Sequence, residues 1–72
     1  MKGSEFYKKI VNLGKKNNIE VKIEKRRDKG SHSTLFYGKK FTIIRNLKDE
    51  LKSGTLNAML KQLDINIDDL RK

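Results

Sequence analysis

The one histidine of this chain, His32, follows Gly30 and Ser31 and stands directly behind the basic run Lys25-Arg26-Arg27-Asp28-Lys29. Histidine is the side chain whose ordinary pKa lies nearest to neutrality, so it can take up and return a proton under physiological conditions. Beside cations that attract phosphate, such a group points to RNA cleavage: a base removes the proton of a 2′-hydroxyl, and fixed positive charge stabilises the phosphorane that forms. Lys25, Arg26, Arg27, Lys29, Lys39 and Lys40 flank the histidine in sequence and are the candidate phosphate-holding groups. Ser31 and Ser33 are candidates to orient the imidazole or to donate to a phosphate oxygen. Each of these residues also has a plainer reading, as a structural histidine at a strand edge, a solvated charged loop, and serines that open a strand. Tyr37 is the candidate for a second catalytic group, on closeness alone.

The whole chain is built to attract polyanions. Eighteen Lys and Arg against nine Asp and Glu give a net charge of +9, which on 72 residues makes nucleic acid or an acidic protein the expected partner. The basic residues are not confined to one helix opposite a broad apolar face, which argues against a membrane surface. A chain this short buries only about 60% of the surface its unfolded state exposes, so any active site is shallow and a stabilising partner fits the balance. There is no cysteine, so neither a disulfide framework nor a cysteine-based zinc site can support the fold. With one histidine, a metal site would have to rely on carboxylates. The absence of an apolar spanning stretch or an apolar leader makes the cytoplasm the expected location.

The elements that position these groups follow from periodicity. Ser4 is the expected cap of a helix in which Phe6, Ile10, Val11 and Leu13 share one face; Gly14 weakens its end and Asn17-Asn18 stop it. From Ile19 the period changes to two, with Ile19, Val21 and Ile23 alternating with Glu20, Lys22 and Glu24. Residues 26–30 read as a charged loop, residues 31–37 as a second strand, and Gly38-Lys39 as a tight turn into a third strand over residues 40–44. Alternation sets His32, Thr34 and Phe36 on one face and Ser31, Ser33, Leu35 and Tyr37 on the other. Both faces carry apolar residues, so the pattern does not choose the buried one. Phe41, and whichever of Phe36 and Leu35 faces the helices, are assigned to the core; an exposed aromatic here would be available to stack on bases. After the polar residues 45–52, Ser53 or Thr55 is the expected cap of a helix with the stripe Leu56, Met59, Leu60 and Leu63. Asp64-Ile65-Asn66 ends it, and Asn66 caps a short last turn. The fold class is therefore α+β, in the order α-β-β-β-α, with a three-stranded antiparallel sheet and two helices on one face.

That order is similar to the double-stranded RNA-binding-domain fold. Lys29-Gly30-Ser31-His32 before the hairpin, Lys52-Ser53-Gly54-Thr55-Leu56-Asn57 opening the second helix, Leu60-Lys61-Gln62-Leu63 within it, and the N-terminal Lys2-Gly3-Ser4-Glu5-Phe6 together resemble the HicA family of small toxins. The likeness covers nearly the whole of a single domain over residues 1–72. What the resemblance implies is a ribonuclease without metal or cofactor that cleaves mRNA through His32, halts translation, and is restrained by a cognate HicB-like antitoxin that covers the site. The alternative is a non-catalytic RNA-binding module whose basic hairpin grips A-form RNA by shape and phosphate contacts.

Overall fold

The computed structural model describes residues 1–25 and 32–71. Its order is α1 (Gly3–Asn17), β1 (Val21–Lys25), β2 (Ser33–Tyr37), β3 (Lys40–Ile44), α2 (Ser53–Leu63) and a short α3 (Ile67–Arg71). The strands form one antiparallel sheet in the order β1-β2-β3, so the α+β architecture expected from the sequence is the observed one. No helix among the described residues is long and apolar enough to cross a membrane.

Three local expectations need correction. Ser4 and Ser53 are not N-caps: α1 begins after Lys2 and α2 after Lys52, neither with a side-chain capping bond. At α1 the reason is tertiary, because the amides of Gly3 and Ser4 donate to the carbonyls of Asp49 (3.0 Å) and Leu47 (2.8 Å), which satisfies donors that a cap would otherwise serve. Gly14 does more than weaken the helix end. It is buried in the last turn, where an added Cβ would lie 2.4 Å from Val21 Cγ2 and 2.8 Å from the Ile19 carbonyl oxygen, so glycine is what lets α1 approach β1. The helix stops at Asn18, in the left-handed conformation at φ 61, and the Ile19 amide turns back to the Gly14 carbonyl at 2.7 Å. Ile19 thus belongs to the helix exit, and β1 starts at Val21.

The helices lie on one side of the sheet. Leu35 and Tyr37 of β2 and Ile44 of β3 join Phe6, Ile10 and Leu13 of α1, Met59, Leu60 and Leu63 of α2, and Leu70 of α3 in one core. The alternation of β2 is therefore resolved: Ser33, Leu35 and Tyr37 face the helices, while Thr34 and Phe36 face away. Phe41 is not a core residue. It is 56% exposed on the open side of the sheet, next to Ile43 at 53%, because the register that buries Thr42 and Ile44 turns its neighbours outward. The buried Thr42 hydroxyl donates to Gln62 Oε1 of α2. Asp64, at φ 56, ends α2, and the Asn66 side chain accepts from the Asp68 amide at 3.3 Å, as expected for the start of α3.

Candidate active site

His32 is half-buried at the head of β2, one residue before the first ladder pair. Continuing the alternation back by one residue puts it on the side of Thr34 and Phe36, opposite the helices. The imidazole thus stands at the end of an open sheet face, where a large substrate has access, on a strand anchored underneath by Leu35 and Tyr37.

The structure separates several of the groups that sequence proximity had gathered. Lys25 is exposed at the same end of the sheet as the histidine, but as the ladder partner of Ser33 it projects to the helix-facing side, opposite the face of His32. Ser33 is only 3% exposed on the helix-facing side and does not present its hydroxyl to a polyanion outside. Lys39 and Lys40 are exposed, but they sit at the β2–β3 turn, five residues along the strand from His32, or about 16 Å at the usual strand rise. Lys40 is engaged with Asp64 at 2.8 Å. Hydrogen bonding to the Lys40 ammonium and its charge hold the Asp64 carboxyl below its ordinary value of 3.8. Tyr37, at the same far end, is buried, and its hydroxyl accepts a hydrogen bond from Asn17 Nδ2 at 3.1 Å, so it cannot share a scissile phosphate with His32. Arg26, Arg27, Lys29 and Ser31 lie outside the described residues.

Two features of the site escaped the sequence. Extending the β2–β3 register one step beyond the pair Ser33–Ile44 sets Arg45 opposite His32, and Arg45 is exposed. The signal was present in the Gly38-Lys39 turn, which fixes the register of both strands and hence Arg45 as the neighbour of His32. The second is the aromatic pair Phe36 and Phe41, directly opposite each other with ring centroids 6.0 Å apart and planes tilted by 45°. It shares the open face with His32, four residues away on β2.

A family model described as HicA toxin of bacterial toxin-antitoxin matches residues 7–65, which takes in α1 from Tyr7 onward, the whole sheet, His32 and α2. No curated protein and no solved structure gives a significant match.

Proposed function

This chain belongs to the HicA toxin family of bacterial toxin-antitoxin systems, and from that premise we propose that it is a metal-independent endoribonuclease that cuts mRNA with His32. The observation that carries the reading is the place of the sole histidine, directly before the first ladder residue of β2, at the end of the sheet where β1 closes on Lys25 and β3 is followed by the exposed Arg45. His32 takes the proton of a 2′-hydroxyl; the 2′-oxygen bonds to the adjacent phosphorus; the bond from phosphorus to the 5′-oxygen breaks, and that oxygen receives a proton. The products are a 2′,3′-cyclic phosphate and a 5′-hydroxyl end. Arg45 and the basic residues preceding His32 stabilise the charge that builds on the phosphoryl oxygens. One acid-base group contributes about 10²- to 10⁴-fold, a modest rate that suffices where each cut message is lost. The reaction proceeds in the cytoplasm, and a HicB-like antitoxin suppresses it by covering His32.

Inducible expression of wild type and His32→Ala in a bacterial host, with growth and a long reporter transcript followed in the same cultures, tests the reading. Arrest and fragmentation with wild type alone support it. Equal behaviour of the two folded proteins refutes catalysis by His32 and leaves a binding module.

A further inference from the structure

The sheet has two edges, and they differ in chemistry. The outer edge of β1 runs beside Glu20 and Glu24 as well as Lys22 and Lys25, and Lys22 is paired with Glu20 at 3.3 Å. This mixed-charge edge resembles the guarded edges of monomeric sheets. Residues 39–45 along β3 include no carboxylate of their own, although Asp64 from the end of α2 pairs with Lys40 at 2.8 Å. Lys39 and Lys40 stand at its start and Arg45 at its end, and between them are Phe41 and Ile43, the two exposed large hydrophobic side chains among the described residues. Beside them a groove of ≈ 660 Å³ opens between β3 and α2, lined by Phe41, Ile43, Ala58 and Met59 together with those cations.

The backbone is equally specific. Gly38, at φ 62, makes a two-residue turn, so the closing pair Tyr37–Lys40 exchanges hydrogen bonds and the pairs alternate from there. The N–H and C=O groups of Phe41 and Ile43 consequently point out of the sheet, and among the described residues no strand meets them. A row of alternating donors and acceptors is matched by another polypeptide strand. A phosphodiester offers acceptors alone and would leave the carbonyls unmet. A second copy of this chain is disfavoured as well, since antiparallel pairing of β3 with itself about Thr42 would bring Lys39 of one copy against Arg45 of the other.

We infer that the antitoxin docks here, by adding an extended acidic segment with alternate apolar side chains to the free edge of β3 as a fourth strand. Such a segment would run two strand spacings from β2, about 10 Å, and leave the sheet past Arg45, at the end where His32 stands. Docking at the edge and covering of the active site are then one event. The inference rests on the toxin-antitoxin partnership and not on the nuclease chemistry.

The test uses the His32→Ala chain co-expressed with its cognate HicB-like antitoxin, so nothing depends on cleavage. Amide hydrogen exchange read residue by residue should show Phe41 and Ile43 exchanging fast in the isolated chain and slowed by roughly 100-fold or more in the complex. Ile43→Glu, at a position already open to solvent, should keep the melting temperature and lower antitoxin affinity at least tenfold. Lys22→Glu, on the other edge, should leave affinity unchanged. The inference is overturned if the complex forms without protecting Phe41 and Ile43, if Ile43→Glu binds as wild type, if no complex forms, or if an RNA oligonucleotide alone protects the same two amides.

Discussion

At the scale of single residues, His32 and Arg45 have separate proposed tasks, and their variants should fail differently. With His32 as the proposed proton-moving group, His32→Ala and His32→Gln should both lower the cleavage step by about 10²- to 10⁴-fold in single-turnover assays while RNA affinity persists. Arg45 meets developing charge, so Arg45→Ala should slow the same step and also weaken RNA binding, with Arg45→Lys recovering binding better than rate, because an ammonium restores the charge without the planar fork. Equal rates for Arg45→Ala and wild type would remove Arg45 from the site. His32 was singled out in the sequence through the Gly30-Ser31-His32 motif of the family resemblance, since a lone histidine beside a basic run also has a plainer structural reading. Arg45 was not singled out, since thirteen positions separate the two in the chain and only the β2–β3 hairpin returns the end of β3 to the head of β2. Lys39 and Lys40 show the converse. Closeness in sequence grouped them with His32, although the turn at Gly38-Lys39 necessarily puts them at the other end of the strand.

At the scale of elements, the position of His32 depends on how β2 is held from below and how α1 meets β1. Leu35 is fully buried at the centre of the middle strand, and truncation to Ala should cost about 2–5 kcal/mol. A domain of this size has a total stability of only roughly 4–11 kcal/mol, so Leu35→Ala should melt far below wild type. Gly14→Ala gains helix propensity yet should destabilise by about 1–3 kcal/mol, because the added methyl meets the Ile19 carbonyl and Val21. A rise in the melting temperature would contradict the close approach. Asp64 offers a pH test. Its carboxyl pKa is depressed in the folded chain by Lys40, so its contribution is present above the ordinary carboxylate range and is lost as pH falls through the lowered value. Asp64→Asn retains a residue suited to the left-handed position, and its melting temperature should fall below that of wild type at pH 7 and converge with it under acid. Element types and the strand register were readable from period and glycine. Helix starts were not, because the backbone near Asp49 and Leu47, far along the chain, satisfies the first amides of α1. Nor was the buried face of β2, since Leu35 and Phe36 are both apolar and only the landing side of the helices decides between them.

At the scale of the whole molecule, charge brings substrate and partner to the same small surface. The net charge of +9 already sets every carboxylate against a cation, so the ion pairs of Lys22 and Lys40 take nothing from the field that attracts a polyanion. RNA binding by the His32→Ala chain should therefore weaken steeply with salt. Each single-strand phosphate engaged adds about 0.7 to the logarithmic slope, so three contacts give a slope of roughly −2. In the proposed reading the chain thus combines a long-range field to gather RNA, an open sheet face ending at His32 as the proton-moving group, and a free edge of β3 for a restraining strand. The measurement that tests the central claim most directly is cleavage of a long transcript by the purified chain, compared with His32→Gln of equal melting temperature, with the new ends analysed chemically. The account predicts fragments bearing 2′,3′-cyclic phosphate and 5′-hydroxyl ends from wild type alone; an intact transcript with wild type, or equal cutting by both proteins, would contradict it.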